Sequence, residues 1–394
     1  MITFMLPLAL LAAADIMIWR GWVRRKCRVV RRVYLVQIAL PWLLLLWLVG
    51  FMIVRKEPWL DVERTMRMML WVVWLFVLLA AGKIVYFIFW LTGRLLHRPK
   101  AWRAAGAAAG IALAAAMICG ATRGRDHIEV RQVEIASGKL PASFDGARIA
   151  FFADLHLGNL MSQQRFLDSL VALTNGLQPD VVCFGGDMVN LSSDELTPSV
   201  VETLGRIRAK HGVFTVLGNH DLGIYGDSVA KPFALNVIEI LNAYGRMGWT
   251  PLVNESVYIS DGADSIAISG VGYPVSERHK EGMAGGIYDA DPQVAYRGLP
   301  DSTFNITLSH TPVSWPEDLP CADLTLSGHT HSMQMKFTIF GASFSPARLR
   351  YKRWSGLYRD GERTLYINDG LGYVMFPMRI GTRPELTLIT LRRR

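Results

Sequence analysis

Five short clusters in the last two-thirds of the chain combine the side chains that bind divalent metals. They are Asp154-Leu155-His156, Gly186-Asp187, Gly218-Asn219-His220-Asp221, Ser309-His310 and Gly328-His329-Thr330-His331, with a Gly185-Gly186 turn opening the second. The chain has nine histidines in 394 residues, and five of them lie in these clusters. Imidazole, carboxylate and amide oxygen together suit borderline ions such as Mn, Fe and Zn. A carboxylate shared between two such ions can bridge them, and a bridged pair can activate water against a phosphorus centre.

Each cluster has its own geometry. Asp154 and His156 are two residues apart, so both can reach one ion. The two oxygens of Asp187 can each take a different metal. Asn219 offers a neutral carbonyl oxygen, and His310, His329 and His331 supply imidazoles. A glycine precedes Asp187, Asn219 and His329, letting the backbone turn sharply beside a bulky ion. Taken singly, a His-x-His or an Asn-His-Asp is weak. Five in this order, each following a strand-like run, form a pattern.

The elements that must position these side chains follow from hydrophobic spacing. His127–Ile135 alternates as an entry strand. Short strands are expected at Arg148–Ala153, Asp180–Phe184, Val213–Leu217, Ser265–Gly270, Thr303–Leu308 and Ala322–Leu326. Helical spacing covers Arg165–Asn175, Leu196–Lys210 and Phe233–Tyr244. Five of the strands run straight into Asp154, Asp187, Asn219, His310 and His329. The ligands therefore sit at strand ends, where open α/β sheets carry their sites.

The first part of the chain is different. Its 51% hydrophobic content is concentrated before residue 122, in runs long enough to cross a bilayer. Four spans are expected, at about 2–19, 33–54, 68–91 and 104–121, ahead of a globular domain at 122–394. The first run lacks the positive start of a signal peptide and is expected to be an uncleaved anchor. The fourth is Ala-rich, and Gly106 and Gly110 would allow close helix packing. Lys83 falls inside the third span. It is either functional or, as expected here, snorkels toward the near end of its helix.

The net charge of +9 lies largely in the loops between the spans and in the Arg392-Arg393-Arg394 tail. No basic surface interleaved with aromatics marks a nucleic-acid partner. The four cysteines, Cys27, Cys119, Cys183 and Cys321, form no CxxC pair, so neither a disulfide framework nor a zinc knuckle is expected. Loop one holds Arg20, Arg24, Arg25, Lys26, Arg28, Arg31 and Arg32 without an acid. Loop three holds Arg94, Arg98, Lys100 and Arg103, also without one. The middle loop is mixed. Loops one and three should face the cytoplasm, which puts the globular domain of a multi-pass inner-membrane protein outside it.

The order Asp-x-His, Gly-Asp, Gly-Asn-His-Asp, His, Gly-His-x-His resembles the calcineurin-like metallophosphoesterase superfamily over about Val133 to Leu391. The membrane-anchored bacterial branch is the nearest in pattern. Its entry recurs as Leu140-Pro141-x-x-Phe144-x-Gly146-x-Arg148-Ile149, and its ending as Asn368-x-Gly370-x-Gly372, Pro377-x-Arg379 and Pro384-Glu385-Leu386. The resemblance implies an α/β fold, a four-layer αββα sandwich, with two divalent metal ions, most simply Mn, with Fe or Zn as alternatives. Asp154, His156, Asp187 and His331 would hold one ion, and Asp187, Asn219, His310 and His329 the second. His220 would act on the phosphate as general acid or charge stabiliser, with Asp221 fixing its tautomer. One departure is the Ser332-Met333-Gln334 that follows the last ligand, where relatives often carry Gly-Gly-Gln.

The implied function is a membrane-anchored hydrolase of phosphodiester, pyrophosphate or phosphomonoester bonds, working by attack of a bridging hydroxide. Its substrate would be lipid-linked or part of the envelope, and its other partner the lipid bilayer. Asp154-Leu155-His156-Leu157 also resembles UDP-diacylglucosamine pyrophosphatase, a reaction that needs the cytoplasmic face. A non-catalytic membrane sensor or scaffold with a relic site is a reading of another class, and an intact ligand set speaks against it. Arg348, Arg350, Lys352 and Arg353 could contact a phosphate or an anionic headgroup, or simply be a solvated charge run. His211 and His279 have no partner motif and are expected to be ordinary surface histidines.

Overall fold

The computed structural model describes residues 2–54, 62–225, 231–275 and 288–394. The backbone separates into two compact units, one built mainly from Met1–Thr122 and the other from Arg123–Val374 and Arg379–Arg394. His279 and most of the mixed middle loop lie outside the described residues.

The first unit is helical: α1 (Ile2–Gly21), α2 (Arg28–Val54), α3 (Val62–Leu95) and α4 (Pro99–Cys119). Among the described residues, four helices are long and apolar enough to cross a membrane. α3 and α4 approach closely through glycine. A Cβ on Gly110 would come within 2.9 Å of the Gly82 carbonyl oxygen, so only Gly fits there.

Lys83 does not snorkel. Its side chain is only 7% exposed, and its Nζ donates to Asp15 Oδ1 at 2.8 Å and to the Gln37 carbonyl at 3.1 Å. Tyr34 adds a hydroxyl donor to the same Asp15 oxygen at 3.2 Å. A charge in a bilayer must be paired or reach water. Here the partner lies on α1, which ties that helix to α2 and α3.

The second unit holds two six-stranded sheets. The strands of the first are β1 (Glu129–Ser137), β2 (Arg148–Phe152), β3 (Val181–Phe184), β4 (Val213–Thr215), β5 (Trp249–Pro251) and β14 (Glu385–Arg393), in the order β1-β14-β2-β3-β4-β5. β2 to β5 run parallel, and β14 runs antiparallel to β2. The second sheet contains β6 (Glu255–Asp261), β7 (Asp264–Val271), β8 (Asn305–Ser309), β9 (Leu324–Ser327), β12 (Gly356–Asp360) and β13 (Arg363–Ile367). Its order is β12-β13-β9-β8-β7-β6, with β7, β8, β9 and β13 parallel. A separate hairpin pairs β10 (Phe337–Ile339) with β11 (Ala342–Phe344).

The sheets face each other across one apolar core. Ile149, Phe151, Cys183 and Phe214 from the first meet Ile268, Ile306, Leu308 and Leu326 from the second. The central parallel strands are covered on both faces, which is why Val181-Val182-Cys183-Phe184 is continuously apolar rather than alternating. The helices α5 (Gln163–Gly176), α6 (Pro198–Leu204) and α7 (Phe233–Met247) accompany the first sheet. Tyr296, Trp315 and Leu319 pack with Leu365 and Ile367 on the second. α6 is shorter than the spacing of Leu196–Lys210 suggests. It starts at the Thr197 cap, with Pro198 in its first turn, and stops before Gly205, after which tight turns take over. His211 lies beside the Phe144 ring, with centroids 6.3 Å apart.

Candidate metal centre

The C-terminal ends of strands from both sheets converge on one point. The loops after β2, β3 and β4 deliver Asp154-Leu155-His156, Gly185-Gly186-Asp187 and Gly218-Asn219-His220-Asp221. The loops after β8 and β9 deliver His310 and Gly328-His329-Thr330-His331. Asp154, His156, Asp187, His329 and His331 all have φ between 44° and 69°. Left-handed backbone at non-glycine residues costs roughly 1–2 kcal/mol each and clusters at functional sites. The packing around these loops must hold them there. A Cβ on Gly218 would strike the Asp187 carboxylate, and one on Gly328 would strike Asp154. Those two glycines are required by close approach as much as by turning.

Three groups of donors arise, buried but for the half-buried His220 and His329: Asp154, His156 and His331; His156, Asp187 and His220; and Asp187, His310 and His329. His156 Nε2 lies 3.0 Å from His331 Nε2, which is 3.3 Å from Asp154 Oδ1. His310 Nε2 lies 3.1 Å from Asp187 Oδ2, 3.1 Å from Asn219 Oδ1 and 3.3 Å from His329 Nδ1. One imidazole nitrogen facing three lone-pair-bearing atoms cannot satisfy them with one proton. A divalent cation can, so the donor set fits a metal. The buried Nδ1 atoms of His156 and His331 have no hydrogen-bond partner.

Asp187 departs from the sequence expectation. Its Oδ1 accepts the backbone N–H of His220 at 2.8 Å. Oδ2 faces both groups, 3.1 Å from His310 and 3.7 Å from His156. A single oxygen, rather than one oxygen per ion, is therefore the atom between the two groups.

The imidazoles are oriented from behind. His310 Nδ1 contacts the Gly185 carbonyl at 2.7 Å, and His329 Nε2 contacts the Tyr351 hydroxyl at 3.1 Å. Asn219 donates its Nδ2 to the Tyr225 hydroxyl at 3.2 Å, which turns Oδ1 inward. Burial alone would raise Asp187, but the His310 and His220 rings hold it well below the usual carboxylate range. Burial lowers His310, yet Asp187 and Asp154 keep it protonated up to about 9. Two buried carboxylates thus demand positive charge, from protons or from cations.

Asp221 does not touch the His220 ring. Its carboxylate accepts four backbone N–H groups, from Asp187 and Met188 at 2.8 Å, Val189 at 3.2 Å and Gly218 at 2.9 Å. Burial and the Asp187 charge push it up to about 7, against those donors. Its role is to clamp the turn after β3 to the turn after β4. The tautomer of His220 is set instead by Nδ1 donating to the Asn190 carbonyl at 2.6 Å. Glu195 fixes that turn by accepting the N–H groups of Gly158, Asn190 and Leu191, each at 2.7 Å.

The basic run divides. Arg348, Arg350 and Lys352 are exposed. Arg350 lies 5.9 Å from the Tyr351 ring, and its charge bears on the phenols of Tyr225 and Tyr273. Arg353 is drawn elsewhere. Its guanidinium stacks 4.7 Å from the Trp315 ring and donates to the Trp315 carbonyl, which removes it from the phosphate contacts. Spacing gave no hint of Tyr225, Tyr273 and Tyr351, which flank the ligands. Tyr273 lies 5.9 Å from the His310 ring and 5.7 Å from the His329 ring. Also unforeseen is Asp369, after β13. It is buried, takes Arg131 at 3.0 Å and Lys336 at 3.2 Å, and accepts the Ser332 hydroxyl beside His331.

The model of the calcineurin-like phosphoesterase family matches residues 147–333. An uncharacterized metallophosphoesterase of Bacillus subtilis, YkuE, is 30% identical over 67% of this chain and 86% of its own length. The chain belongs to the calcineurin-like metallophosphoesterase family. A zebrafish (Danio rerio) transmembrane protein with a metallophosphoesterase domain is 29% identical over 98% of this chain and 87% of its own. The phosphodiesterase YaeI of Escherichia coli is 27% identical over 62% of this chain and 82% of its own. The protein is thus a metal-dependent phosphoesterase with four candidate membrane helices, and this metallophosphoesterase is a membrane protein.

Proposed function

We propose that this metallophosphoesterase hydrolyses phosphodiester or pyrophosphate bonds of a lipid-linked or envelope substrate, outside the cytoplasm. Asp154, His156, Asp187 and His331 would hold one divalent ion, and Asp187, Asn219, His310 and His329 the other. The observation that carries this reading is Asp187 Oδ2, turned toward imidazoles of both groups. Mn is the favoured ion for an oxygen- and imidazole-rich set without thiolates. Bound ions supply charge neutralisation at phosphorus and activation of water.

The chain's own groups do the rest. His220 keeps its Nδ1 proton on Asn190, so Nε2 is the ring atom open to a substrate. Burial lowers the ring's pKa, so it would take up a proton at Nε2 from water and, as the imidazolium, pass it to the departing oxygen. Asp221 keeps the Asp187 and Asn219 turns in register. Arg350, beside Tyr351 and near Tyr225 and Tyr273, would neutralise a phosphate oxygen.

A diester preference draws support from the E. coli relative named a phosphodiesterase. The test is turnover of bis(p-nitrophenyl) phosphate against p-nitrophenyl phosphate by the full chain in detergent with Mn. Faster diester hydrolysis is the expected result. Faster monoester hydrolysis would overturn the diester reading.

A further inference from the structure

Between His331 and Tyr351 the chain makes an excursion that has no core of its own. β10 and β11 pair antiparallel, with Phe337 opposite Phe344. Phe340 and Gly341 form the turn, both in left-handed conformation, with φ of 50° and 81°. Such two-residue turns favour Asn-Gly or Gly-Gly, so a phenylalanine at the tip is held at a steric cost. Phe340 is fully exposed, Leu349 is 92% exposed and Ile339 56%. Phe337 and Phe344 are each 46% exposed. A lone hairpin is marginal in water, and an apolar one facing solvent marks an interaction surface.

The flanking charge specifies the partner. From Lys336 to Arg359 the chain carries six basic residues and no Asp or Glu. Arg348, Arg350 and Lys352 are exposed next to Leu349. An apolar tip rimmed by Lys and Arg matches the interface of an anionic bilayer, where basic residues near the surface add electrostatic attraction to apolar insertion. Both feet of the excursion stand on the metal centre. Ser345 donates its hydroxyl to the Ser332 carbonyl at 2.6 Å, one residue after His331. Tyr351 contacts His329 at 3.1 Å.

We propose that the β10–β11 hairpin with the Arg348–Lys352 segment is a bilayer-docking element. Phe340 and Leu349 enter the acyl boundary, and Arg348 and Lys352 engage anionic headgroups, leaving Arg350 to the substrate phosphate. The metal centre between its feet then takes phosphate esters presented in a membrane surface, a clause that rests on the phosphoesterase function proposed above.

The experiment uses the full chain with Cys27, Cys119 and Cys321 replaced by Ser, reconstituted in phosphatidylcholine vesicles with or without phosphatidylglycerol. Phe340→Cys is labelled with nitrobenzoxadiazole, and Ala263→Cys, in the exposed β6–β7 turn at the opposite ends of the strands, is the control. The label at 340 should emit to the blue and be quenched several-fold more than the control by doxyl-lipids, most strongly in the anionic vesicles. Equal, water-like signals at both positions would overturn docking. In parallel, Phe340→Asp/Leu349→Asp should raise KM for hexadecyl p-nitrophenyl phosphate in vesicles by about tenfold. Its turnover of soluble bis(p-nitrophenyl) phosphate should stay at the unsubstituted level. Equal loss on both substrates would make the hairpin a structural part of the site and sink the proposal. A quenched label on a protein that cleaves neither substrate would leave docking standing and remove the hydrolytic reading.

Discussion

At the residue scale, His220 and Asp221 divide the labour differently from what their adjacency suggests. Asn190 orients the ring, and Asp221 serves four backbone donors. His220→Ala should therefore keep its metal yet lose turnover on the order of a hundredfold or more, as for a positioned proton donor. Metal content and rate on the same preparation check this, and joint loss of both would make His220 a ligand. Asp221→Ala should behave in the opposite way. Unsatisfied buried donors cost roughly 1–3 kcal/mol each, so thermal stability and metal content should fall together. A variant that stays stable and metal-loaded but inactive would return Asp221 to catalysis. The clustered donor types were legible because metals restrict donors to a few side chains, and strand ends fix their order. The groups behind them were not. Asn190 acts through its carbonyl, which any residue could supply, and Tyr351 reaches His329 only because the chain returns to the site after the β10–β11 hairpin.

At the scale of elements, apolar runs followed by a ligand marked β2, β3, β8 and β9 within a residue or two, because buried parallel strands must be continuously apolar. Of the edge strands, β1 showed in the alternation of His127–Ile135, while β5, β6 and β12, with β10–β11, escaped notice, since half-exposed strands carry mixed residues and take their place from pairing. The four helices were legible from length and hydropathy, but the internal ion pair was not. Asp15 and Lys83 are 68 residues apart, and only packing of α1 on α3 brings them to 2.8 Å. Removing one partner of a buried pair strands the other, at about 3–5 kcal/mol, whereas replacing both is often neutral. Lys83→Met alone should lower the melting temperature of the detergent-solubilised protein, and Asp15→Asn/Lys83→Met should recover most of the loss. A double variant as unstable as the single would mean that the pair contributes through something other than charge compensation.

At the scale of the whole molecule, the proposed place of the globular domain outside the cytoplasm rests on the asymmetry of the basic loops, seven and four Lys or Arg with no acid. An export-dependent reporter fused at Arg125 should be active there, and a cytoplasm-only fluorescent reporter dark. The reverse pattern would move the enzyme to the cytoplasmic face and favour a lipid-precursor pyrophosphatase. The central claim is the shared metal centre. Its most direct test is elemental analysis of the full chain in detergent after reconstitution with Mn, alongside its Asp187→Ala variant, with folding checked by circular dichroism. The account predicts two divalent ions per chain, and a folded variant that retains neither ion firmly and loses hydrolysis of bis(p-nitrophenyl) phosphate. A folded, active protein without bound metal, or an Asp187→Ala variant that keeps both ions, would contradict it.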